Sequence, residues 1–188
     1  RRTDPPLEDL VGGSWVVRGG LRCLAVEERY ALEFRHGESP LREVLGIPGE
    51  VLQPYIASAD ARPLQVERAV FLDIETTGLA RGAGTYAFLI GMGAFEGEEL
   101  VVHQFFMPDY GEEDALLDAV GDVLARAGGL VTFNGRSFDW PIVETRYLMA
   151  RRQPPCADLP HLDLLHLARR LWRRTLPSCA LSALEAHV

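Results

Sequence analysis

From residue 69 to residue 174 the chain presents apolar runs in an order that few architectures satisfy. Three β-favouring segments, 69–75, 86–95 and 100–106, follow one another without an intervening helical pattern. Helix and strand patterns then alternate: helix 112–126, strand 129–134, helix 138–150, short strand 161–163, helix 164–174, and a last helical pattern over 179–188. The order therefore predicts an α/β fold, a mixed sheet with helices packed on it. The helix at 112–126 is the clearest element, with Leu116, Leu117, Val120, Val123 and Leu124 at helical spacing, acids at its start and Arg126 at its end.

The first 66 residues read differently. Residues 14–18 and 21–27 flank Gly19-Gly20, a hairpin signal, and Arg29 to Phe34 extends the same sheet. Residues 40–66 carry Pro40, Pro48, Pro54 and Pro63 and predict a short helix or two, then a linker. The expected organisation is a small β-rich leader with its linker over 1–66 and the main domain over 67–188. The chain opens on Arg1, and the pattern Leu181 to Val188 stops without a cap or breaker, which predicts a fragment of a longer protein.

Two carboxylates sit at the mouth of the first strand of that domain, in Val70-Phe71-Leu72-Asp73-Ile74-Glu75-Thr76-Thr77-Gly78-Leu79. Strand side chains alternate, so Asp73 and Glu75 share a face about 6.6 Å apart. Two ionised carboxylates brought to about 4 Å repel by roughly 4 kcal/mol at an effective dielectric of 20, a cost that a bound cation or a shared proton relieves. The spacing alone decides little, because Glu96/Glu98 and Glu112/Asp114 repeat it. Those pairs fall in a turn and in the first turn of a helix, where acids complement the macrodipole. Only Asp73 and Glu75 follow a buried-strand pattern and precede a tight Thr-Thr-Gly turn.

A second constellation is Leu130-Val131-Thr132-Phe133-Asn134-Gly135-Arg136-Ser137-Phe138-Asp139-Trp140-Pro141, a strand, a polar turn and a helix start. Ser137 is the expected N-cap, and Pro141 is tolerated in the first turn. Asp139 then either complements the helix dipole or joins a metal site, and Asn134 either shapes the turn or meets a ligand. If strand 129–134 lies beside strand 69–75, both motifs open at one end of the sheet.

Together these residues resemble the DEDD-type 3′ to 5′ exonucleases of the ribonuclease H-like superfamily, and in particular the bacterial ribonuclease H-like proteins with an Asn-Gly-x-x-Phe-Asp second motif. Asp73 to Leu79 is similar to the family's first motif and Asn134 to Asp139 to its second. The resemblance covers residues 68–188 and, more loosely, the leader. It implies a ribonuclease H-like mixed five-stranded sheet flanked by helices and preceded by a small β-rich segment. It also implies phosphodiester cleavage at the 3′ end of single-stranded DNA or RNA by two divalent ions, with hard oxygen ligands favouring Mg²⁺ or Mn²⁺. Carried over by position, Asp73, Glu75 and Asp139 are the catalytic and metal-binding carboxylates. Thr76, Thr77, Gly78 and Leu79 meet the terminal nucleotide, and Asn134 and Phe138 line the substrate channel.

One part of the family pattern is missing. A fourth carboxylate on a late helix, preceded by His or Tyr in a His-x4-Asp or Tyr-x3-Asp spacing, has no counterpart after Asp139, since Tyr110 and Asp114 have the spacing but precede the second motif, and the fragment reading places it downstream. Asp163 resembles a segment that lies near the site in relatives without being a ligand; its alternative role is a helix N-cap. His36, His103 and His161 read as structural residues.

Composition narrows the alternatives. All 19 basic residues are Arg, so no Lys nucleophile, Schiff base or P-loop lysine exists in this chain. No run of 18 apolar residues occurs, which argues against a membrane partner, and three widely spaced cysteines suit a reducing cytoplasm. The net charge of −8 argues against bulk coating of nucleic acid. Its distribution is uneven: residues 1–128 hold 11 Arg against 22 acids, and residues 129–188 hold 8 Arg against 5. Arg169, Arg170, Arg173 and Arg174 fall on a helix face opposite Leu164, Leu167, Ala168 and Leu171, either a solvated basic face or a path for phosphates. Two competing functions remain: a catalytically inert ribonuclease H-like module that binds nucleic acid or a protein, and a phosphodiesterase for short oligonucleotides.

Overall fold

The computed structural model describes residues 5–56, 62–78, 84–156 and 158–187. A short helix without a clear sequence signal, α1 (Leu7–Val11), comes first. It precedes the hairpin of β1 (Ser14–Arg18) and β2 (Leu21–Ala31), whose turn is Gly19-Gly20 with φ of +57° and +85°. Two-residue turns that follow the strand twist need positive φ at both positions, so the glycine pair fixes the register in which Val16 faces Cys23. β2 runs unbroken to Ala31 and takes up the start of the 29–34 segment. A small separate hairpin follows, β3 (Arg35–His36) with β4 (Ser39–Pro40). The proline-bearing stretch folds as α2 (Arg42–Leu45), α3 (Gly49–Leu52) and single 3-10 turns at Gln53–Tyr55 and Val66–Arg68.

The remaining elements keep the predicted order. They are β5 (Ala69–Thr76), β6 (Ala87–Glu96), β7 (Glu99–Phe106), α4 (Glu113–Leu124), β8 (Gly129–Thr132), α5 (Asp139–Met149), β9 (His161–Asp163), α6 (Leu164–Trp172) and α7 (Leu181–Glu185). β8 ends before Phe133 because the chain turns off the sheet there. The main sheet has the order β1-β2-β7-β6-β5-β8-β9. β5, β6 and β7 are antiparallel, while β5/β8 and β8/β9 are parallel.

The expected five-stranded sheet is β7-β6-β5-β8-β9, and the leader adds two strands to it. β2 pairs with β7 from Leu24 opposite Phe106 to Ala31 opposite Glu99. Without it β7 would expose a row of unpaired backbone groups, an edge that invites association. The sequence does not encode this pairing as a short-range pattern, since hairpin and β7 are some 70 residues apart.

Alternation along β5 sorts the two faces. Val70, Leu72 and Ile74 are buried with Ile90, Met92 and Phe105 against Leu116, Leu117 and Val120 of α4 and Ile142, Val143 and Tyr147 of α5. On the other face Leu52, Ile56, Leu64 and Val66 cover Val131 and Leu162. The stretch expected as a linker thus supplies part of the core, because its apolar residues need the face that α4 and α5 leave uncovered. Asp73 and Glu75 emerge on this second face, exposed beyond its apolar patch. Among the described residues no helix is long and apolar enough to cross a membrane.

Candidate functional site

β5, β8 and β9 run parallel as neighbours, so the segments that follow them emerge at one end of the sheet. In open α/β sheets this carboxyl end is where ligands bind. It gathers Asp73 to Gly78, Phe133 to Asp139, and Asp163 with the start of α6.

The turn after β5 is held by its own threonines. The pairing register shifts between Glu75 and Thr76, which bends the strand at the second acid. The Thr76 hydroxyl donates to the Gly78 carbonyl at 2.9 Å. The Thr77 N–H donates to the Tyr86 carbonyl at 3.0 Å, and the Tyr86 N–H returns a bond to the Thr77 hydroxyl at 3.2 Å. Thr76 and Thr77 therefore fix the position from which Asp73 and Glu75 project. Leu79 lies outside the described residues.

The loop after β8 is tighter. Asn134 adopts φ +65°, the left-handed region that Asn tolerates better than most residues, so its turn-forming role is realised while its side chain stays exposed. A Cβ on Gly135 would fall 2.5 Å from the Thr132 Cβ and 2.6 Å from an Asp139 carboxylate oxygen, so only glycine lets the loop close over that acid. Ser137 does not cap α5. Phe138 occupies the cap position without a side-chain bond, and the Trp140 N–H is satisfied by the Gly135 carbonyl at 2.8 Å. The loop folds back on the helix start, which removes the need for a serine cap. Phe138 is half-buried and packs against the main core.

Asp163 locks this loop from beneath. It is 1% exposed, and its carboxylate accepts from the Asn134 N–H at 2.8 Å, the Arg136 N–H at 3.1 Å and the Leu165 N–H at 3.0 Å. It is the N-cap of α6 and a clamp on the second motif at once. The cap is legible in the sequence. The clamp is not, because it needs β9 laid beside β8.

The electrostatics link the three predicted acids. Burial, then the charge of Asp73, and further the charges of Asp163 and Glu75, push the Asp139 carboxyl up to about 6. Asp73 is likewise raised, by burial first and by Glu75 second. Burial lowers His161 to about 4, and its Nε2 lies 2.9 Å from the Thr132 hydroxyl, so the neutral ring is a structural partner of β8. Asp73, Glu75 and Asp139 are an all-oxygen donor set under mutual repulsion, which is the chemistry that a hard divalent cation relieves. Among the described residues no group of three or more acids, histidines or cysteines is close enough to cage an ion.

Arg146 has no signature in the sequence pattern. Arg146, 4% exposed, bonds both Glu113 oxygens at 2.5 and 2.6 Å, and its guanidinium lies 3.8 Å from the Tyr86 ring centroid. It ties α5, which carries Asp139, to α4 and to the residue that braces Thr77.

The chain is 36% identical over 167 residues to the uncharacterised protein YprB of Bacillus subtilis, a match covering 87% of this chain and 40% of that protein's length. Among solved structures it is similar to E. coli exonuclease I in complex with a dT13 oligonucleotide, with TM-score 0.48, 17% identity, and 63% of this chain and 35% of that one covered. A second exonuclease I structure gives TM-score 0.49 and 18% identity, with 63% and 34% covered. The profile of the RNase H superfamily matches residues 70–188, from the first acidic motif to the end of the sequence, and the chain belongs to that superfamily.

Proposed function

We propose that this chain carries the catalytic site of a metal-dependent nuclease that removes nucleotides from the 3′ end of single-stranded DNA or RNA. The observation that carries the reading is the meeting of Asp73, Glu75 and Asp139 at one sheet end, close enough for Asp73 and Glu75 to raise the proton affinity of Asp139. Asp73, Glu75 and Asp139 would hold Mg²⁺ or Mn²⁺, which would supply Lewis-acid charge for the phosphate. The protein's own part is positional. Asp73 and Glu75 present their oxygens from a strand, and Asp139 presents its own from the first turn of α5, just after the loop that Asp163 holds. The backbone of Thr76, Thr77 and Gly78 offers the surface against which a terminal nucleotide rests, and Asn134 lies exposed beside the path to it.

The test is shortening of a 5′-labelled 20-mer in Mn²⁺. Asp73→Ala abolishes it if the reading holds, and undiminished cleavage by that variant overturns it. With three of the family's four carboxylates in residues 1–188, the chain by itself is expected to bind Mn²⁺ weakly and turn over slowly. The absence of a closed ligand cage among the described residues favours a second reading, a nucleic-acid-binding module without turnover. Oligonucleotide binding that is indifferent to Mn²⁺ and to Asp73→Ala supports that one. Comparable rates on dinucleotides and 20-mers would instead indicate an enzyme for short oligonucleotides.

A further inference from the structure

Four arginines in the acidic part of the molecule are neutralised in place. Arg18 pairs with Asp122, Arg29 with Glu27, Glu96 and Glu99, Arg42 with Glu33, and Arg126 with Glu96. Arg146 and Arg152 are paired as well. Five further arginines gather beside the second motif. Arg136 in the loop and Arg169, Arg170, Arg173 and Arg174 on and just after α6 are exposed, and none has a carboxylate within 4 Å among the described residues. Asp163, the nearest acid in sequence to α6, is buried and consumed by three backbone N–H groups.

Geometry ties the arginines to the site. Arg169 and Arg173 stand four residues apart, on one stripe and about 6 Å apart along the helix axis. Arg169 lines a recess of about 500 Å³ that begins at Phe133 and Asn134 and passes Leu165 towards Ser178. Arg136 sits two residues beyond Asn134 on the same loop, its backbone held by Asp163. The recess thus has one cation, Arg169, in its wall and a half-buried aromatic ring, Phe133, beside Asn134, with Arg136 and Arg173 flanking it in sequence. An unpaired cationic stripe with an aromatic face is the combination that holds a single strand, with phosphates on the guanidiniums and a base against the ring. Arg also suits phosphate by its planar fork of donors.

We propose that Arg136, Arg169 and Arg173 form the track that carries the sugar-phosphate backbone of a single-stranded nucleic acid away from Asp73, Glu75 and Asp139, with Phe133 as its stacking contact. This rests on the nuclease reading, but its test does not. The affinity of a 20-mer for the 188-residue chain is measured in EDTA, where nothing is cleaved, across a salt series. The double variant Arg169→Glu/Arg173→Glu is compared with Arg35→Glu, an exposed arginine of the leader outside the track, and thermal melts verify that both variants are folded. The expected result is a loss of at least tenfold in affinity for the double variant. Its slope of log affinity against log salt falls by about 1.4, roughly 0.7 per lost phosphate contact on a single strand. Arg35→Glu keeps the wild-type slope, and wild type gains affinity from a 4-mer to the 20-mer while the double variant does not. Equal slopes for the double variant and Arg35→Glu overturn the track and leave the nuclease reading standing. Equal affinity for poly-glutamate of matched charge overturns the assignment to nucleic acid. Failure of the Asp73→Ala experiment with the salt result intact removes the nuclease and keeps the track.

Discussion

Asp163 accepts the backbone N–H of Asn134 across 2.8 Å, although the two residues lie 29 positions apart and on different segments. Through this bond and its companions to Arg136 and Leu165, one buried carboxylate aligns the second acidic motif with the start of α6. Hydrogen bonds to charged groups are each worth about 1.5–3 kcal/mol, and an orphaned buried N–H costs a further increment. Asp163→Ala is therefore expected to destabilise the protein by roughly 3 kcal/mol or more in urea melts. It should also speed amide exchange at Asn134 and Arg136 before exchange in β5. Uniform exchange throughout, with no local opening, would contradict the clamp.

Glu113 and Arg146 make a second long-range tie, and both are largely buried. Removing one partner of such a pair leaves an uncompensated charge, at a cost of about 3–5 kcal/mol. Glu113→Ala should lower stability by that amount, and Glu113→Ala/Arg146→Met should recover part of it. A double variant no better than the single one would show that the guanidinium acts through its stacking on Tyr86 instead.

The pH dependence of stability in EDTA carries two opposed contributions. For Asp139 the folded pKa, about 6, lies above the ordinary 3.8, so its stabilising contribution is complete below about pH 4 and is lost as the pH rises through 6. Asp73 acts in the same direction. For His161 the folded pKa of about 4 lies below the ordinary 6.5. Its contribution is present above pH 6.5 and is lost as the pH falls through 4. Wild type should thus vary little between pH 4 and 6.5. Asp139→Asn should make stability rise with pH across that window, and His161→Gln should make it fall. Melts at pH 4, 5, 6 and 7 decide this, and two variants with the wild-type profile would refute it.

Residues 67–188 expressed without the leader lose β2 from the edge of β7, and also Leu52, Ile56, Leu64 and Val66 from the face of Val131 and Leu162. Each such side chain contributes about 1.5–3 kcal/mol when fully buried, a total comparable with the net stability of about 5–15 kcal/mol of an ordinary domain. The shortened chain is expected to unfold without cooperativity or to self-associate, as light scattering would detect. A cooperative melt at the full chain's temperature would show that the leader is an independent appendage.

Local chemistry wrote much of this protein openly. Periodicity marked β5 to α6 in order, Gly19-Gly20 marked a hairpin, and two short acidic motifs marked the site, because each depends on residues within one or two turns of one another. Those signals suffice for the α/β fold and for Asp73, Glu75 and Asp139 as candidates. Ser137 misled, since an N-cap is local only when the preceding loop does not fold back, and here the Gly135 carbonyl takes that place. The pairing of β2 with β7, the apolar cover from Leu52, Ile56, Leu64 and Val66, the clamp by Asp163 and the Arg146–Glu113 tie were decided by tertiary structure alone. Each joins segments at least 27 residues apart, and a residue sequence encodes such contacts only as a matching of surfaces once the sheet has brought them together.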